Sequence, residues 1–194
     1  SPFKAAPFFD WAAEHRMSAT VMVPAMYNLC LRADEFRHAD LGPWRVGGYG
    51  GAPMPAATIA ALAQALPHLS LTNLYGATET SSAMTAMPPA QTAERPTSVG
   101  LPVPGARILI MDPEGREVPR GETGEIWHGG PMIVPGYWEN PAATEKEFCG
   151  GFWRSGDVGS MDADGVVTIH DRLKDMINRG GFKVFAAEVE AILS

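Results

Sequence analysis

P-A-A-T-I-A-A-L-A-Q-A-L-P-H-L-S-L-T-N-L-Y-G-A-T-E-T (Pro55–Thr80) sets a helix, a stop, a strand and a polar turn in immediate succession. Alanine and leucine dominate the first part, so the spacing predicts a helix from about Pro55 that Pro67 ends. Leu69 to Leu74 reads as a strand, with Tyr75 to Thr80 at its carboxyl end. Upstream the alternation repeats. Phe9 to Arg16 reads as a short amphipathic helix and Ala19 to Val23 as a buried strand. Pro24 opens a helix through about Arg32, and Trp44 to Tyr49 is a further strand that ends in glycines. Strands alternating with helices imply a parallel sheet, and such sheets take ligands beyond the carboxyl ends of their strands.

The pattern changes after Ser98. Ala106 to Asp112 is an apolar strand, P-E-G-R-E a turn, and G-E-T-G-E-I-W-H-G-G carries another strand. Pro141 to Phe148 reads as a short helix. Gly151–Gly159 and Gly165–His170 pair around the turn M-D-A-D-G. From Asp171 the sequence predicts a short hairpin over Met176 to Val184, then a helix from Ala186 that Ser194 leaves part-built. The expected fold is α/β. It comprises part of a mixed, mainly parallel sheet flanked by helices (1–97), an antiparallel β subdomain (98–170), and the start of a small α+β domain (171–194).

Composition narrows the functional classes. The 194 residues are 45% hydrophobic and 19% charged, with net charge −7 and no run of like charge that would track a phosphate backbone. Nucleic acid is therefore not the expected partner. No apolar run reaches the length of a membrane helix, and no secretory signal opens the chain. Cys30 and Cys149 form no C-x-x-C pair and the five histidines no ligand spacing, so reduced thiols, a cytoplasmic setting and no structural metal are expected.

Three stretches could carry chemistry. In the turn Tyr75–Thr80, Tyr75 offers a face for a purine, Gly76 lets backbone come close, Thr78 offers a hydroxyl and an N–H to a phosphate, and Glu79 offers a carboxylate to Mg²⁺. The competing reading is a polar loop with a solvated glutamate. The glycine-rich turn G-G-Y-G-G-A-P-M-P (Gly47–Pro55) fits neither common phosphate-loop pattern. It is a tight turn or a floor of bare backbone under a ligand. In W-R-S-G-D, Asp157 lies near a strand end, and Arg172 follows fifteen residues later, after a turn and a returning strand. A hairpin of that length brings the two together, either as a salt bridge or as a grip on ribose hydroxyls. Lys174 and Asp175 then form a charged connector, a solvated linker or a hinge.

These stretches, in this order, together with D-R-L-K-D and G-F-K-V-F-A-A-E-V-E, resemble the adenylate-forming enzymes: acyl-CoA synthetases, luciferases and peptide-synthetase adenylation domains. The resemblance implies an aromatic on adenine (Tyr75), a threonine on the α-phosphate (Thr78) and a Mg²⁺ ligand (Glu79). It implies nucleotide contacts from Gly51, Ala52, Pro53, Asn73, Gly76 and Ala77, ribose contacts from Asp157 and Arg172, and Ile169 beside the base. Tyr49, Gly50, Gly76, Ala77 and Gly181 would line the acyl-substrate site. Tyr49 stands where the family often has serine; facing the acyl pocket, it would favour small or aromatic acids. Thr78, Glu79 and the hinge Lys174 would serve catalysis. The implied reagents are ATP (leaving AMP), Mg²⁺, a small-molecule carboxylic acid and coenzyme A.

The tail motifs look more like CoA ligases than peptide-synthetase modules. Loading of a carrier-protein thiol, or a non-catalytic nucleotide-binding domain on the same scaffold, are the alternatives. The family's Ser/Thr/Gly-rich loop for the β- and γ-phosphates and its C-terminal lysine are not found in these residues. The expectation is therefore a piece lacking N-terminal and C-terminal parts of its parent, unable alone to release pyrophosphate from ATP.

Overall fold

A computed structural model describes residues 2–175, 177–179 and 182–184. Two compact units emerge, one formed by Ser1–Tyr75 and Met87–Thr97, the other by Gly76–Ala86 and Ser98–Ser194.

The first unit is the helix–strand alternation. Its elements are α1 (Ala5–Glu14), β1 (Ala19–Met22), α2 (Pro24–Arg32), β2 (Val46–Gly50), α3 (Ala56–Ala65) and β3 (Ser70–Gly76), the last residue of β3 passing into the second unit. β1, β2 and β3 pair in parallel, with Ala19 opposite Val46 and Val46 opposite Ser70. Pro24 is the first residue of α2, where its missing N–H costs nothing. α1 starts four residues before the expected Phe9. Phe9 and Ala12 are buried in a cluster with Tyr27, Trp44, Tyr49, Ile59 and Leu62, and the extra turn packs Ala5 and Phe8 against it. Within this cluster the Tyr27 hydroxyl donates to the Gly48 carbonyl at 2.9 Å, so a phenol is buried with its hydrogen bond made. The 3-10 turn Pro89–Gln91 returns the chain to the unit. Beyond it the Thr92 hydroxyl donates to Leu71 O at 2.7 Å.

The second unit is antiparallel. Its strands are β4 (Ala83–Ala86), β5 (Ser98–Pro102), β6 (Arg107–Met111), β7 (Thr123–Gly129), β8 (Phe148–Cys149), β9 (Phe152–Met161) and β10 (Val167–Arg172), with the helix α4 (Pro141–Glu147) before β8. They hydrogen-bond in the order β4-β5-β10-β9-β7-β6, and β8 adds to β9. Ile110, Ile126, Trp153, Val158 and Val167 are among the buried apolar residues. β11 (Ile177–Arg179) and β12 (Phe182–Val184) form the expected hairpin as a separate antiparallel pair.

Two strands run against the sequence reading, which left Ala83–Ala86 and Ser98–Pro102 without regular structure. Both are short, and β5 ends in proline. Pairing, not propensity, makes them strands: Thr85 lies opposite Pro102, and Ser98 and Gly100 lie opposite residues of β10. The expected helix from Ala186 lies outside the described residues.

Candidate active site

The turn after β3 is built by one buried threonine. Thr78–Thr80 makes a single 3-10 turn, closed by Ser81 in the left-handed region at φ 55°. Thr80 is fully buried. Its hydroxyl accepts the Ala77 N–H at 2.9 Å and lies 2.9 and 2.7 Å from the Ala77 and Ser82 carbonyls, one of which takes its proton. Thr80 therefore serves the loop, and Thr78, two residues earlier, stays exposed. Gly76 also has a packing role: a Cβ there would meet the Ser82 carbonyl at 2.5 Å.

Glu79 is half-buried and held at two points by one segment. Its carbonyl accepts the Val134 N–H at 2.9 Å, and its Oε1 accepts the Tyr137 hydroxyl at 3.0 Å. Trp153 Nε1 donates to the same Tyr137 oxygen at 3.2 Å. Burial, then the Glu79 charge, pushes the Tyr137 phenol above its usual pKa, against the opposing pull of the Trp153 donor. Through Tyr137 the loop is thus fastened to β9, four residues before Asp157.

Two irregularities in the sheet place Asp157 and Arg172. Across β7 and β9 the pairing slips between Glu125 and Trp127, leaving extra residues of S-G-D on β9, where Gly156 adopts φ 68°. The bulge is tied on all sides. Ser155 Oγ donates to Ile126 O at 2.6 Å and accepts the Asp157 N–H at 3.0 Å, and Gly156 O accepts the Leu173 N–H at 2.7 Å.

The second slip lies in β10. Val167, Thr168 and Ile169 face Met161, Ser160 and Gly159, a register that would set Asp171 opposite Asp157. One extra residue between Ile169 and Asp171 changes this, and Arg172 comes opposite Asp157 instead. Two like charges face to face become an ion pair, Arg172 Nε to Asp157 Oδ1 at 2.8 Å, with Arg172 Nη1 also donating to Ser155 O at 3.3 Å. The hairpin does bring the two residues together. Asp157 is only 6% exposed, while the Arg172 side chain is 57% exposed.

The remaining sequence candidates divide. Gly51, Ala52 and Pro53 are exposed and Gly50 is partly so, at the carboxyl end of β2. Tyr75 and Ala77 are partly covered, Asn73 is buried on β3, and Ile169 is partly buried on β10. Lys174 is exposed in the turn after β10. Tyr49 does not present its ring to open space. It is 1% exposed, belongs to the core cluster of the first unit, and burial pushes its phenol up to about 12. Gly181 lies outside the described residues.

Sequence reasoning missed Tyr137, Trp153 and Thr80 as partners of the site. One signal was available: in G-Y-W-E-N-P the Asn-Pro pair is a helix start, and Asn140 Oδ1 does cap α4 by accepting the Ala143 N–H at 3.1 Å, fixing the residues just before it.

A magnesium ion fits these residues in a limited way. Among the described residues Glu79 Oε2 has no hydrogen-bond or ion-pair partner, and a carboxylate oxygen is a suitable hard ligand. Among the described residues no group of three or more His, Cys, Asp or Glu could hold a metal, so a cation at Glu79 would need oxygens from outside such a cluster. No helix of the described residues is long and apolar enough to cross a membrane.

Comparison with known proteins gives the same reading from another direction. The long-chain-fatty-acid–CoA ligase of Yersinia pestis is 35% identical over 94% of this chain and 32% of its own length. Feruloyl-CoA synthase of an Amycolatopsis species is 37% identical over 91% of this chain and 36% of its own. The chain thus spans about a third of the length of the curated relatives it matches. Among solved structures, amide bond synthetase McbA from Marinactinospora thermotolerans superposes with a TM-score of 0.88 at 32% identity, covering 96% of this chain and 38% of that one. O-succinylbenzoate coenzyme A synthetase from Bacillus subtilis, solved with ATP and magnesium, gives 0.87 at 27%, covering 98% and 39%. The model of the AMP-binding enzyme family matches residues 1–138, and with more than half its length so matched the chain belongs to that adenylate-forming family.

Proposed function

We propose that the protein containing this chain is an AMP-forming carboxylate–CoA ligase. It would activate a carboxylic acid as the acyl-adenylate, releasing pyrophosphate, and then pass the acyl group to the thiol of coenzyme A, releasing AMP. The observation that carries this reading is the Asp157–Arg172 pair set by the β10 bulge: a buried carboxylate oriented by a mostly exposed guanidinium suits the vicinal hydroxyls of a ribose. Thr78 would donate to the α-phosphate. Glu79 would hold Mg²⁺, which when bound neutralises phosphate charge. Tyr75, Asn73 and Ile169 would border the adenine, Gly50–Pro53 with Gly76 and Ala77 the acyl moiety and base, and Lys174 the hinge. Residues 98–170 would complete the large domain, and 171–194 would begin a small domain that rotates between the two half-reactions. The names of the curated relatives support CoA as acceptor.

A specific observation favours a second reading of the acceptor. A closely superposing structure is an amide bond synthetase, so an amine in place of the thiol is compatible with the same adenylating half.

Pyrophosphate exchange by the full-length enzyme across a panel of aliphatic and aromatic acids, with thioester detected by mass after CoA addition, tests the proposal. Exchange with thioester formation is the expected result. Exchange with amide but no thioester would replace the acceptor, and no exchange with any acid would overturn the activity. The 194 residues by themselves are expected to release no pyrophosphate. No Ser/Thr/Gly-rich loop with a lysine for the outer phosphates is found in them.

A further inference from the structure

We propose that Tyr137 is a positioning residue for the Glu79 carboxylate, fixing which oxygen remains for a divalent cation. This rests on the reading of Glu79 as a magnesium ligand.

Hydrogen count decides the direction of the relay. An indole N–H only donates, so Trp153 Nε1 must give its proton to the Tyr137 oxygen. The phenol's own proton then goes to Glu79 Oε1. One carboxylate oxygen is thereby occupied by a neutral donor, and the other has no hydrogen-bond or ion-pair partner among the described residues. No Lys or Arg among the described residues pairs with Glu79, so none of them competes with a cation for it.

The tyrosine is itself held. Its N–H donates to Thr144 Oγ1 at 2.9 Å, Thr144 Oγ1 donates to Asn140 O at 2.9 Å, and its ring meets Phe148 edge-on at 5.5 Å. The Val134 N–H grips the Glu79 backbone from the same segment. A carboxylate fixed at backbone and side chain by one rigid stretch offers a single oriented oxygen rather than a freely rotating pair. That suits a small cation with strict geometry.

The test is Mg²⁺ dependence of ATP binding to the full-length enzyme, followed by calorimetry without acid or CoA. Tyr137→Phe keeps the ring and removes the proton. It should raise the half-saturating Mg²⁺ concentration about tenfold or more, as expected for losing one hydrogen bond to a charged group. Glu79→Gln should raise it at least as far, and the double variant should match Glu79→Gln alone, because Tyr137 acts only through Glu79. A purely structural tyrosine would add its effect to that of Glu79→Gln. A Tyr137→Phe curve within twofold of the wild type, beside a shifted Glu79→Gln curve, would overturn the positioning role alone. An unshifted Glu79→Gln curve would remove Glu79 as the ligand, and this inference with it.

Discussion

The two units solve different problems with different strand pairings. In the first, β1–β3 run parallel, their side chains go into an aromatic core, and the carboxyl end of β2 presents bare backbone at Gly50–Pro53. In the second, antiparallel strands with slips in register bring Asp157 to Arg172, and the segments joining the strands bring Tyr137, which also takes the Trp153 N–H, to Glu79. Parallel strands reached through helices align their ends and leave the tips open to a ligand. Antiparallel strands set residues directly opposite one another, so a single extra residue selects which side chains meet. The first unit offers surface; the second offers geometry.

The sharpest way to break the first unit is to place a methyl group where its strands touch. A Cβ on Gly50 would collide with the backbone carbonyl of Leu74 on β3, which cannot rotate away. Gly50→Ala should cost about 3 kcal/mol or more in urea-unfolding measurements.

The units should also differ in their response to pH. Burial holds His128 of the second unit down, from the ordinary 6.5 to about 4. The unfolded chain then binds the proton more readily. Stability from the neutral imidazole is full above pH 6.5 and is lost as pH falls toward 4, by up to about 3 kcal/mol. In the first unit burial pushes Tyr27, Tyr49 and Cys30 up to about 12, so their contribution is full below the ordinary values of 9 to 10 and is lost as pH rises toward 12. Urea midpoints of the wild type and His128→Phe between pH 4 and 7 test the acid limb, where the variant should show a shallower fall. Equal slopes would remove His128 as the acid-sensitive group.

A smaller effect separates structure from function at the ion pair. The Arg172 side chain is more than half exposed, so Arg172→Gln should change stability by about 1 kcal/mol or less. If the pair grips ribose, the same change should weaken ATP binding by about tenfold or more. Stability loss with unchanged ATP affinity would mark the pair as a plain salt bridge.

Much of this was legible in local sequence. Pro24 and Pro67 bracket their helices because proline lacks the N–H that a helix interior needs. The fifteen-residue spacing of Asp157 and Arg172 implied a hairpin contact, and the strands around M-D-A-D-G formed it. Strands β4 and β5 were not legible, since they are only four and five residues long and β5 pairs with β10 far along the chain. Tyr49 illustrates the opposite failure: beside an exposed glycine-rich turn it looked like a pocket residue, yet its ring is buried in the core cluster.

Local propensity and motif order, which depend only on neighbouring residues, determined by themselves the alternation of helices and strands and the family. The tertiary structure alone decided that Arg172 rather than Asp171 faces Asp157, that Thr80 is spent on the loop while Thr78 stays open, and that Tyr137 reaches Glu79. The first turns on a one-residue slip and the last on a contact across 58 residues, which pairing over the sheet and long-range packing fix where no short stretch of chain can, whereas the Thr80 bonds are local and needed only the conformation of their own turn.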